Sequence, residues 1–196
     1  MKSTHNTVRA YGKSAFGTLV IVTGTALMMA ACSTVPTPPK AYSQDLLPEN
    51  IRVPAGHQVA LETTAVGVLN YECKANMPTA GTIGWVLASP KADLLDRTGK
   101  NVAAYTGPPA TWAHVDGSAV IGTQIAIAPQ LGGTNIPLQL ASGKGAAGPG
   151  MLQNVTYIQR IKTKGGQDFS KACTQADLGD KLTLPYQADY IFWKAM

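Results

Sequence analysis

The side chains of this sequence best suited to chemistry cluster between positions 105 and 118: Tyr105, Trp112, His114, Asp116 and Ser118. His114 and Asp116 stand two apart, so a strand puts them on one face and a turn makes them converge. In that arrangement His114 can act as a base, Asp116 can orient it and Ser118 can serve as the nucleophile. A plainer reading competes with this. Asp116-Gly117-Ser118 is turn composition, with the aspartate bonding its own backbone and the glycine supplying positive φ. No Gly-x-Ser-x-Gly elbow surrounds Ser118, so the turn reading is the stronger. His114 and Asp116 are the only catalytic candidates that remain.

Other chemistries find less support. Beyond position 32 the histidines are His57 and His114, with no Cys-x-x-Cys pair. A zinc or copper site would need His57, His114 and Asp116 to meet in space, and their spacing does not enforce it. Gly143 to Gly150 and Gly165-Gly166 lack the strand-to-helix setting of a phosphate loop, and no nicotinamide or flavin fingerprint occurs. No metal and no cofactor is therefore expected. Tyr71, Tyr105, Trp112, Tyr157 and Arg160 have the character of a cleft that stacks a ring-shaped ligand. Tyr71 and Tyr157 sit on alternating stretches and read as core. Trp112, in a stretch rich in proline and glycine, reads as a loop residue and the better pocket candidate. The candidate ligand-binding set is Tyr105, Trp112, His114, Asp116 and Arg160.

These residues must be held by strands. Charged residues make up only 14% of the chain, while 20 glycines and 13 prolines punctuate it, which suits short strands joined by turns. Apolar and polar residues alternate with a period of two. Leu69, Tyr71 and Cys73 form one such face; Ile83, Trp85 and Leu87 form another, stopped at Ser89-Pro90. Ile136, Leu138 and Leu140 follow, then Val155, Tyr157, Gln159 and Ile161, then Tyr186, Ala188, Tyr190 and Phe192. Asp96-Arg97-Thr98-Gly99-Lys100 is a turn, and a short helix fits between Phe169 and Leu178. The expected fold is all-β and mainly antiparallel, a single-domain sandwich or barrel with at most short helices.

The amino-terminal segment carries an address. Lys2, Arg9 and Lys13 precede an apolar run from Thr18 to Ala31, and no acidic residue occurs before Asp45, the anatomy of a secretory signal. The run is short for a spanning helix. Small residues leading straight into Cys32 resemble the lipobox of bacterial lipoproteins, with Met29 at the position where leucine is usual. That resemblance implies cleavage before Cys32 and acylation of its thiol, and two acyl chains hold a protein stably at a membrane. Ser33, in place of an aspartate, points to the periplasmic side of the outer membrane. Residues 1–31 thus read as signal, 32–52 as a proline-rich tether and lead-in, and 53–196 as the domain. Without Lys2, Arg9 and Lys13 the 16 basic residues fall to 13 against 11 acidic ones. No basic cluster remains to hold nucleic acid. Cys73 and Cys173 are left as an even pair in an oxidising compartment, either bridged or separately buried, and export favours the bridge.

Four stretches carry a further resemblance. They are Val53-Pro54-Ala55-Gly56 with Tyr71-Glu72-Cys73-Lys74-Ala75; Gly107 through Ser118; Val155 through Arg160 with Thr163-Lys164-Gly165-Gly166; and Cys173 with Leu184 through Phe192. In this order they resemble a secreted bacterial and fungal family known only as a domain of unknown function, thirty-four fifty-five. Both cysteines fall where that family carries cysteines, which supports the bridge. The chain departs from the family in placing Pro109-Ala110 between Pro108 and Thr111, and in having Ala104 where a histidine often precedes the aromatic. The expected function is a lipid-anchored envelope module that binds a small ligand, polymer or protein. A metal-assisted or acid–base enzyme centred on His114 and Asp116 is the alternative, and a purely structural envelope protein the third reading.

Overall fold

The computed structural model describes residues 42–75 and 82–196. The signal-like segment, Cys32 and the tether before Tyr42 lie outside the described residues. Eight strands run in order: β1 (His57–Ala75), β2 (Ile83–Leu95), β3 (Asn101–Thr106), β4 (Thr111–His114), β5 (Ala119–Ala128), β6 (Leu138–Ala147), β7 (Val155–Gly165) and β8 (Lys181–Ala195). Each pairs antiparallel with its neighbour, and β1 also pairs with β8 from His57↔Ala195 to Glu72↔Lys181, closing an up-and-down barrel. Of the two expected architectures, the barrel is the one formed. Closure leaves no unpaired edge.

Alternation then sorts side chains into two cores. Ala65, Leu69, Tyr71, Leu94, Tyr105, Trp112, Val120, Ile158, Tyr186, Tyr190 and Phe192 belong to the buried cluster that fills the barrel. Ile51, Val53, Leu138, Leu140, Ile161, Ile191 and Trp193 form a second cluster on the outer wall. An outward face that apolar needs a cover, and the lead-in provides it. Tyr42 and Leu47 pack on this cluster, and Ile51 is fully buried in it. Folded structure therefore begins well before Pro54. The reason is a buried polar hub, Gln159: its amide donates to Ile51 O (2.7 Å) and Gln44 Oε1 (2.8 Å) and accepts from Trp193 Nε1 (3.0 Å) and Tyr42 Oη (3.2 Å).

Several local expectations need correction. Val155 does not share the outward face of Tyr157, Gln159 and Ile161 but joins the interior cluster, because the β7–β8 register shifts between Val155 and Tyr157. β2 does not stop at Ser89-Pro90; Pro90 pairs opposite Leu69, and the register shifts between Asn70 and Tyr71. A proline is tolerated at such an irregularity because the ladder is already interrupted there. Ile136 and Leu138 do not share a face: Ile136 precedes β6 and joins the interior, whereas Leu138 and Leu140 face outward. Between Phe169 and Leu178 the only helical turn is the 3-10 turn Gln175–Asp177, closed by a reciprocal Thr174–Asp177 capping box. The surrounding loop lies over one barrel end, where Phe169 meets Tyr71 edge-on at 5.0 Å.

Cys73 and Cys173 are bridged, with Cα atoms 5.6 Å apart and a sequence separation of 100. The bridge pins that loop to the end of β1, where Cys73 also exchanges backbone hydrogen bonds with Gly179 and Asp180. Cross-linking so long a loop removes much of the unfolded chain's entropy. The double variant Cys73→Ala/Cys173→Ala should lose about 2–4 kcal/mol of unfolding free energy in urea titrations. Unchanged midpoints would show that the bridge contributes no net stability.

Candidate functional site

The residues singled out from the sequence separate into two groups. His114, Asp116 and Ser118 sit at the barrel end that carries the β2–β3, β4–β5 and β6–β7 turns. Asp116 Oδ1 accepts from the amide (2.9 Å) and hydroxyl (2.6 Å) of Ser118, and Oδ2 accepts from Met151 N (2.7 Å). His114 Nδ1 lies 3.0 Å from Oδ1. Ser118 is buried, and its hydroxyl accepts from Leu152 N at 3.0 Å. The serine therefore donates to the aspartate, not to the histidine, which is the wrong connectivity for a nucleophile–base–orienter relay. This is a clasp between the β4–β5 turn and the β6–β7 loop. Gly150, at φ 146°, permits it, because a Cβ there would lie 2.5 Å from the Asp116 carboxylate.

Trp112 and Tyr105 lie elsewhere. Trp112 is not in a loop: it stands on β4 and is 2% exposed. It faces Tyr105 across the β3–β4 ladder, and the two rings stack at 4.6 Å and 10°. Each is 5.4 Å from Tyr190, and Phe192 closes the layer 6.2 Å from Trp112. On β5 the absence of a side chain at Gly122 makes room for the indole; a Cβ there would come within 2.5 Å of Cζ3. Tyr157 is half-buried on the outer wall, with its ring edge-on to His57 at 4.9 Å.

Arg160 connects to the interior aromatics rather than to the clasp. On β7 it follows inward-facing Ile158 by two positions, and it stands directly opposite Tyr190 on β8. Directly opposite residues on one face bring their Cβ atoms within about 5.5 Å. The guanidinium donates from Nε (3.2 Å) and Nη2 (3.0 Å) to Pro137 O. Among the described residues no carboxylate lies within ion-pair distance of it. The hydroxyls of Tyr186 and Tyr190 and the indole Nε1 of Trp112 are buried without a well-aligned hydrogen bond among the described residues, although the Tyr190 hydroxyl lies close enough to Tyr186 and Arg160 to interact with both. Buried polar groups are nearly always paired, and three without a well-aligned bond in one interior are unusual. Burial raises the phenol pKa values of Tyr105, Tyr186 and Tyr190 well above the ordinary range, and the charge of Arg160 opposes that shift in all three. The phenols are neutral hydrogen-bond donors at physiological pH.

Two other places were natural candidates. A cleft of about 210 Å³ on the outer wall is lined by Glu62, Asp96, Arg97, Lys162 and Asp189. Its charges are already used, by the ion pairs Arg97–Glu62 and Lys162–Asp189 and by the bonds from Thr98 and Lys100 to Asp96. No group of three or more His, Cys, Asp or Glu side chains gathers among the described residues. His57 and His114 each engage a local partner, Pro54 O and Asp116 respectively.

The interior set and the clasp both fall within residues 54–194, the stretch matched by the family model described as protein of unknown function, DUF3455. The chain belongs to that family. The match covers nearly all of the eight-stranded DUF3455 barrel and both cysteines, and it leaves the covering segment 42–53 outside. No curated protein and no solved structure matches the chain.

The sequence reading found Tyr105, Trp112 and Arg160 but missed Tyr186 and Tyr190 as functional candidates. Their signal was present: two tyrosines on one inward face of β8, four positions apart, in a chain with only 7 tyrosines.

The hydrogen bonds to Asp116 hold its carboxyl well below the usual carboxylate range, those from Ser118 contributing most. A depressed folded value means that the ionised clasp stabilises the protein above the unfolded carboxyl's pKa, about 4, and that this contribution drains away as pH falls further. Asp116→Asn should therefore be less stable than wild type at pH 7, with the gap in urea midpoint narrowing below pH about 4. A gap that stays constant into strong acid would contradict it.

Proposed function

We propose that this protein is a lipid-anchored cell-envelope module that binds a small polar ligand through Arg160 and does not catalyse a reaction. The observation that carries the reading is Arg160, on the inward face of β7 opposite Tyr190, with no carboxylate within ion-pair distance among the described residues. A charge placed inside a wall of aromatics costs stability unless something compensates it. Small eight-stranded barrels have interiors just wide enough to be filled by side chains or to hold one small ligand. A guanidinium with no ion-pair partner is what recognition of an acceptor-rich ligand uses and what a purely structural barrel has little use for. The rival enzyme at His114 and Asp116 loses ground because the Asp116 carboxylate already serves three donors besides the imidazole, in a clasp that fastens two turns.

The envelope part of the reading rests on the signal-like segment and on Cys32. Growth with an alkyne fatty acid should label the protein in the membrane fraction, and Cys32→Ala should abolish the label and leave the precursor uncleaved. A wild-type protein without acyl label would remove the anchor from the proposal.

The binding part is tested by stability. If Arg160 exists for a ligand, Arg160→Met should shift unfolding free energy of the unliganded protein by no more than about 1 kcal/mol in either direction. A loss of about 3 kcal/mol or more in urea titrations would make Arg160 a structural residue and end the reading.

A further inference from the structure

Resting on the lipid-anchor part of that reading, we infer that the β5–β6 hairpin docks on a bilayer surface, with Leu131 at its tip entering the headgroup region of zwitterionic phospholipid. The hairpin's own sequence is the first observation. From Gly117 to Gly143 the chain carries no Asp, Glu, Lys, Arg or His, the longest such run beyond position 40. Charged side chains are what make entry into a bilayer costly, and this hairpin has none to desolvate.

Exposure is the second. Leu131 is 90% exposed, and Ile125 and Ile127 on the strand leading to it are exposed as well. Single exposed apolar residues are ordinary and need no explanation. Leu131 differs because an ordered turn presents it. Asn135 donates from Nδ2 to Leu131 O (2.7 Å) and from its amide to Gly132 O (3.0 Å). Its Oδ1 accepts from Gly165 N (2.7 Å), which braces the tip against the end of β7.

The third observation is where the chain enters the domain. The covering segment reaches β5 through Asn50 Nδ2, which donates to Ile127 O (2.8 Å), and four positions earlier Leu46 is 99% exposed. Leu46, Ile125, Ile127 and Leu131 thus belong to the side of the barrel that carries the lead-in. The described chain starts there at Tyr42, bonded to Gln159, which stands opposite Leu140 on β6. Ten positions separate Cys32 from Tyr42. At a reach of at most about 3.6 Å per position, an acylated thiol lies within roughly 36 Å of Tyr42. So short a leash keeps the hairpin at high effective concentration beside lipid, where contacts too weak to hold a free protein suffice. Beside Leu46 stand Asp45 and Glu49, and the guanidinium of Arg52 is turned to the carbonyls of Asp45 and Leu47. That balance recruits no anionic headgroup, so the match is to zwitterionic lipid.

The test uses the full chain purified from membranes and reconstituted in phosphatidylcholine vesicles. A polarity-sensitive nitrobenzoxadiazole label is placed at Leu131→Cys and, in a second sample, at Val115→Cys, an exposed apolar residue in the β4–β5 turn at the other end of β5. With Cys73 and Cys173 bridged and Cys32 acylated, the introduced thiol is the one that takes the label. Emission at 131 should shift to the blue and be quenched by nitroxide-bearing lipid. Quenching by aqueous iodide should be about threefold or more weaker at 131 than at 115, and neither salt nor added phosphatidylglycerol should change the ratio. Ile125→Ser/Ile127→Ser should return iodide access at 131 towards the value at 115 and leave the melting temperature close to that of the parent. Equal iodide access at the two positions would overturn the docking and leave the anchor standing. A label at 131 shielded from iodide yet untouched by nitroxide lipid would also overturn it, in favour of contact between two copies of the chain. A parent protein that takes label at Cys32 and fails to float with vesicles would overturn anchor and docking together.

Discussion

Closure of the barrel through β1 and β8 is the constraint on which everything else rests. Those two strands are the longest pair in the sheet, matched from His57 to Glu72 against Lys181 to Ala195. Once they join, every strand has a true inside and outside, and the period of two in the sequence acquires a meaning that an open sheet would not give it. The inside is a low-dielectric space in which charges act strongly and unpaired donors are expensive. Arg160, Tyr186, Tyr190 and Trp112 are notable only because the seam is shut; on an open sheet the same side chains would be solvated and need no account.

The barrel has two ends built on different principles. One is fastened covalently, by the Cys73–Cys173 bridge that holds the β7–β8 loop across the opening. The other is fastened electrostatically, by Asp116 drawing in Ser118, Met151 and His114 from two loops. The residues that first looked catalytic turn out to be the second fastening. Their hydrogen bonds hold two turns together. This is a common fate for an aspartate two residues before a serine, whose short side chains bond nearby backbone more readily than they reach a substrate.

Much of the fold was legible in the sequence. Alternation of Leu69, Tyr71 and Cys73, and of Tyr186, Ala188, Tyr190 and Phe192, marked β1 and β8, and an all-β fold, the family and the bridge followed as expected. What escaped notice had physical reasons. β4 is only four residues long, too short to show a period, so Trp112 passed for a loop residue. Pro90 looked like a stop because the bulge that accommodates it depends on the partner strand. Gln159 lay in an apolar register with no sign that a distant stretch, Tyr42 to Ile51, would supply its partners. Arg160 was recognised as a ligand candidate, yet its lack of an ion-pair partner among the described residues could not be read, because it is a property of eight strands together. Whether alternation ends in a sandwich or a barrel was equally undetermined, since both satisfy the same pattern.

The Gln159 hub also has a mechanical consequence. The polypeptide entering the domain at Tyr42 is fastened to the outer wall before it reaches the first strand, through Gln44, Ile51 and the indole of Trp193. Tension applied at that point is met by a buried glutamine fork and an apolar cover, and only afterwards by the seam between the first and last strands. Pulling from the amino-terminal side of Tyr42 would therefore load the cover before it loads the closed wall.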